Sequence, residues 1–112
     1  MSTTAVGRAV EAVVAKNLSK KGYVLKDQNW RTRWCEIDLV MTKDNITYFI
    51  EVKFRKNSLS GEGLDYVTPK KLSQMRYASM FWCAKNRWDG DCRLLVVSVD
   101  GEKSTMNLLE ID

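Results

Sequence analysis

The sequence predicts an α/β domain, with helices packed on a central sheet and elements in the order α-β-β-β-α-β followed by one further strand. Three observations predict it. Apolar residues recur at helical spacing near the N-terminus and again after Pro69. Runs rich in β-branched and aromatic residues stand between those two segments, and another follows the second. A short polar turn joins two of the runs as a hairpin does.

The first helix is expected over about residues 4–21, where Val6, Val10, Val13, Val14 and Leu18 form one apolar stripe. Lys20 and Lys21 suit the negative end of its dipole, and Gly22 supplies a stop. Glu11 falls at the margin of the stripe, so it either reaches inward to a site or points to water. Strands are expected at about 23–30, 35–42 and 46–54, with Lys43-Asp44-Asn45 turning the second into the third. Ser58, Ser60, Gly61 and Gly63 mark a loop over about 56–67, and its Ser-Gly-Glu-Gly stretch matches no phosphate-loop pattern. Thr68 followed by Pro69 is a strong helix start. That helix runs to about residue 85, with Leu72, Met75, Ser79 and Trp82 on one face. Phe81 is read with Trp82 as core. A buried strand at about 92–99 and a final strand near 104–111, joined at Asp100-Gly101, complete the chain.

The 112 residues suit a single domain, with a core over about 4–99 and an acidic C-terminal strand or tail over 100–112. Net charge is +4, but residues 1–93 carry +7 and residues 94–112 carry −3, which suits a polyanionic partner. Cys35, Cys83 and Cys92 form no CxxC pair and read as reduced packing thiols. With no signal-peptide core and no apolar run long enough for a bilayer, a cytoplasmic protein without a membrane partner is expected. There is no histidine, which excludes imidazole triads, His-containing zinc sites and HExxH helices. Catalysis, if present, must use carboxylates, Lys, Tyr, Cys or a metal held by oxygen.

Residues two apart in a strand share a face. Glu36 and Asp38 are thus expected on one face of the second strand, with Ile37 and Leu39 opposite. Glu51 and Lys53 share a face of the third. Taken alone, Glu51 and Lys53 also fit a solvated cross-strand pair. Pairing the two strands, however, brings Glu36, Asp38, Glu51 and Lys53 toward one place, and Glu11 can add a carboxylate from the helix. Clustered carboxylates repel one another unless a cation binds. Magnesium takes oxygen ligands and keeps several waters, so two or three carboxylates hold it. An ammonium beside it can stabilise an attacking water and phosphate charge. Arg31, Arg33, Arg55, Lys56, Lys70 and Lys71 lie near these residues or at the second helix start, where they can meet phosphates. Trp30 and Trp34, among basic residues, can stack on unpaired bases.

Asp38, then twelve residues, then Glu51-Val52-Lys53, resembles the PD-(D/E)XK nuclease signature, although the nominal proline is absent. A wider resemblance rests on Gly7-x-x-x-Glu11, Gly22-Tyr23, Asn29-Trp30-Arg31, Glu36 to Val40, Phe49 to Lys53, Val67-Thr68-Pro69-x-Lys71 and Cys92-Arg93, in that order. Over about residues 6–99 these resemble the YraN-like family of small bacterial proteins, grouped with archaeal Holliday-junction resolvases and tRNA-endonuclease-like domains. The resemblance implies a restriction-endonuclease-like αβββαβ core with a mixed central sheet. It implies a magnesium- or manganese-dependent endonuclease acting on DNA rather than RNA, on branched or single-stranded substrates, and related resolvases act as homodimers. Glu11, Asp38 and Glu51 would be metal ligands, with the Val52 carbonyl a further oxygen, and Lys53 the catalytic lysine. Glu36 would orient a water or pair with Arg31 or Arg33. The chain departs from the family at Cys35, where glycine is usual, and at Leu94 and Leu95, where an acidic residue is usual. A binding module without catalysis, or a protein-interaction adaptor, are the alternatives on the same fold.

Overall fold

Gly22 ends the first helix by taking a φ of +97°, which costs glycine little and any other residue much. The Tyr23 amide then donates to the Leu18 carbonyl at 3.1 Å and the Gly22 amide to Ser19 at 3.1 Å, the paired bonds of a Schellman cap. A computed structural model describes residues 3–55 and 67–112. It places helix α1 at Thr3–Lys20 and strands β1 at Val24–Arg31, β2 at Glu36–Lys43 and β3 at Ile46–Arg55. Helix α2 spans Pro69–Lys85, followed by β4 at Asp91–Asp100 and β5 at Thr105–Glu110. The expected order is observed, with boundaries within two residues of expectation. The expected loop over 56–67 lies almost wholly outside the described residues.

The strands form one mixed sheet in the order β1-β2-β3-β4-β5. Asp44 and Asn45 have φ of +53° and +64°, the mirror-image turn that matches strand twist and joins β2 to β3 in a tight hairpin. β3 and β4 are parallel, from Ile46↔Asp91 to Arg55↔Asp100, and α2 makes the crossover between them. The other pairs are antiparallel.

Each face of the sheet has its own core. Val14 and Leu18 of α1 pack on Leu39, Met41, Ile50, Leu95 and Val97. Met75, Ala78 and Trp82 of α2 pack on Ile37, Val40, Phe49 and Leu94. Phe49 and Trp82 meet edge to face at 5.7 Å. Full burial of each such side chain is worth about 1.5–3 kcal/mol. The α1 stripe is narrower than expected. Val6 and Val13 are exposed because the sheet accepts only the Val10, Val14 and Leu18 edge of the helix. Trp30 and Cys35 rest, partly buried, against the α2-side cluster. Cys83 and Cys92 pack there too, as free thiols 3.2 Å apart, and burial with their mutual contact pushes the Cys83 thiol up to about 12. Among the described residues, no helix is long and apolar enough to cross a membrane.

Thr68 caps α2 as its sequence context demands. Its extended backbone turns the hydroxyl toward the Lys71 amide, which donates to it at 3.1 Å, and Pro69 begins the helix without an amide to satisfy. Thr68→Ala is expected to cost about 1 kcal/mol, read as a lowered midpoint in urea unfolding at constant slope.

Candidate active site

β2 and β3 pair only from Leu39↔Ile50 to the hairpin end. Beyond that point β2 stays with β1, through Trp30↔Ile37 and Arg31↔Glu36, while β3 stays with β4. The two strands part, and the opening holds the residues singled out in the sequence. Asp38 stands at the fork. Its Oδ2 accepts from the Val52 amide at 2.7 Å, so the side chain takes the place of a ladder acceptor where the ladder ends. The expected alternation breaks here. Ile37 belongs to the α2-side cluster and Leu39 to the α1-side cluster, not to one face. The chain changes phase by one residue at Asp38, because β2 must leave β3 while remaining bound to β1.

Asn29 faces the fork from β1 with a φ of +50°, a conformation that asparagine tolerates better than most residues. Its amide donates to Glu11 Oε1 at 2.7 Å and to Glu36 Oε1 at 3.1 Å, holding the α1 carboxylate and the β2 carboxylate together. Arg8 lies 3.6 Å from Glu11 and 3.5 Å from Glu36. Arg31 donates to Glu36 Oε2 at 3.0 Å, one of the pairings expected for Glu36. Neither Arg8 nor Asn29 was singled out from the sequence for these roles. The i,i+3 spacing of Arg8 and Glu11 on a helix was the available signal for the first.

Asp38 and Glu51 are both buried to 8% relative exposure. Burial first, and then the neighbouring Glu51 carboxylate, push the Asp38 carboxyl up to about 8; the Val52 amide opposes this and Glu11 adds to it. Lys71 reaches in from α2, with Nζ 3.1 Å from Glu51 Oε2 and both side chains largely sheltered. Lys71 therefore stands inside the site, not on its approach. Lys53 is half-buried two residues beyond Glu51, opposite Ser98 of β4. Arg55 is half-buried at the end of β3, while Arg33 and Lys70 are exposed. Lys56 lies outside the described residues.

The structure thus brings Asp38, Glu51 and Lys71 together and ties Glu11 to Glu36 through Asn29. Among the described residues, no three Asp, Glu or Cys side chains are arranged to hold a metal ion. The donor set that does suit a hard cation is the Asp38–Glu51 pair. Its two sheltered carboxylates share a region of low polarity, where added positive charge relieves their repulsion.

A model described as "Uncharacterised protein family UPF0102" matches residues 10–99. Curated relatives include UPF0102 proteins of Leifsonia xyli, 42% identical over 70% of this chain and 66% of that protein, and of Clavibacter michiganensis, 41% identical over 84% and 80%. A UPF0102 protein of Pseudomonas fluorescens is 31% identical over 93% of this chain and 88% of its own length.

Proposed function

The chain belongs to the UPF0102 family, and from that premise we propose that it is a metal-dependent phosphodiesterase acting on DNA, with its active site in the fork between β2 and β3. One observation carries the reading: two carboxylates, Asp38 and Glu51, are buried side by side at the end of a strand ladder, with the Lys71 ammonium against Glu51. Such an arrangement is costly for stability alone, since like charges in a sheltered place repel. It is understandable as a place prepared for a cation.

Asp38, Glu51 and the Val52 carbonyl would hold magnesium or manganese, which supplies Lewis acidity toward a phosphate oxygen and an attacking water. Lys53 places a fixed positive charge where negative charge builds on the phosphate. Lys71 neutralises Glu51 until a cation does so, and then lies at the α2 N-terminus, where amide groups also favour phosphate. Glu11 and Glu36 act at one remove, by fixing Asn29 and the β1 backbone beside Asp38. The positive body of the chain and the exposed Arg33 and Lys70 guide the polyanion. A cytoplasmic location and a homodimer that cuts two strands accompany this reading.

The test is a panel of labelled duplex, flap, four-way-junction and single-stranded DNA, with magnesium or manganese and with EDTA. Cleavage of at least one substrate, abolished by EDTA, is expected. Binding to the panel with no cleavage under any of these conditions would leave only the non-catalytic binding module.

A further inference from the structure

Trp34 lies in the loop between β1 and β2 and rests on the outer side of α2. Its ring centroid is 5.6 Å from that of Tyr77, at 24° between planes, and 4.7 Å from that of Phe81, at 48°. The Arg33 guanidinium carbon stands 5.7 Å from the Trp34 ring centre. Tyr77, Met80 and Phe81 are 51%, 63% and 55% exposed. Phe81 is thus not core, contrary to expectation, because α2 turns Met75, Ala78 and Trp82 to the sheet and this row away from it. A contiguous aromatic row facing solvent marks an interaction surface.

Its charge identifies the partner. α2 carries no acidic residue; with Lys71, Arg76 and Arg31 paired to Glu51, Asp112 and Glu36, the cations that count here are Lys70 and Lys85 of α2 and Arg33 of the loop. A second copy placed on this face would set cation against cation. A single nucleic-acid strand offers flat base faces to the rings and phosphates to the cations, whereas a duplex hides its base faces in the stack. The platform is also near the fork. Trp34 precedes Asp38 by no more than about 13 Å of extended chain. Tyr77 lies about 9 Å along the helix from Lys71.

We infer that Trp34, Tyr77 and Phe81 form a stacking platform for unpaired bases, so that the strand held beside Asp38 and Glu51 is single-stranded. This rests on the phosphodiesterase reading for the class of ligand, a nucleic acid.

The test measures binding in EDTA, where no cleavage competes, using fluorescein-labelled oligothymidylate and a duplex of equal length. The wild-type protein is expected to bind oligothymidylate more tightly than duplex, with quenching of tryptophan fluorescence. Trp34→Ala and Phe81→Ala are each expected to weaken oligothymidylate binding at least about fivefold. Duplex binding should stay within about twofold, since phosphate contacts remain. Trp34→Phe, which keeps an aromatic face, should retain most of the affinity, and circular dichroism should show every variant folded. Equal losses on both probes, or no loss on either, overturn the platform. So does a wild-type dimer that Phe81→Asp dissociates while oligothymidylate affinity stays unchanged. Cleavage that ignores these substitutions would sink the platform and leave the phosphodiesterase standing. Ring-dependent binding without any cleavage would do the reverse.

Discussion

Lys53→Ala is expected to lower metal-dependent cleavage by about 100- to 1,000-fold, the usual loss when one fixed charge is removed from a developing oxyanion. Asp38→Ala and Glu51→Ala are expected to reduce it to background, because each removes half of the paired carboxylate donors. The three losses should not multiply when combined, since the groups act on one event. Calorimetric titration with magnesium separates the roles. Lys53→Ala should keep cation binding, whereas either carboxylate substitution should weaken it. Undiminished cleavage by all three variants would show that the fork is not the active site.

In metal-free solution, Asp38→Asn is expected to stabilise the protein at alkaline pH and change little below about pH 4. Asp38 has an ordinary carboxyl pKa of 3.8 when unfolded, and burial beside Glu51 pushes it up to about 8 when folded. Between these values the folded chain binds more protons than the unfolded chain, so stability falls as pH rises through that window. Asparagine removes the charge but keeps an oxygen for the Val52 amide. The variant should therefore melt roughly 5 °C or more above wild type near pH 8.5 in EDTA, and the gap should narrow as pH falls and close below about pH 4. Adding magnesium at pH 8.5 should raise the wild-type midpoint and leave that of Asp38→Asn nearly unchanged. A pH-independent difference between the two proteins would mean that Asp38 carries no unusual proton.

Much of the fold could be read from local pattern. The Thr68-Pro69 start of α2, the Gly22 stop of α1 and the Asp44-Asn45 hairpin are set by residues whose backbone preferences act within a few positions. Asp38, Glu51 and Lys53 could be picked out because a charge in the middle of a strand asks for a reason. The rest depended on contacts distant in sequence. The phase change at Asp38 follows from β2 leaving β3 while keeping β1, which no alternation rule contains. Lys71 was read as a phosphate contact because the helix start is visible in the sequence and its ion pair with Glu51 is not. Asn29 stood in the Asn29-Trp30-Arg31 motif without a role, because its bonds to Glu11 and Glu36 join residues distant in sequence. The outward turn of Phe81 was missed because neighbouring aromatic residues in a helix look alike until the sheet chooses one of them.

The bond from the Val52 amide to Asp38 gives the protein a built-in reporter. That amide proton senses the charge and position of a single carboxylate at the fork. Its nitrogen and proton resonances should follow Asp38 through its titration, and its hydrogen-exchange rate should change when a cation draws the carboxylate away. A single labelled backbone position would then register occupancy of the site in the intact molecule, before any substrate is known.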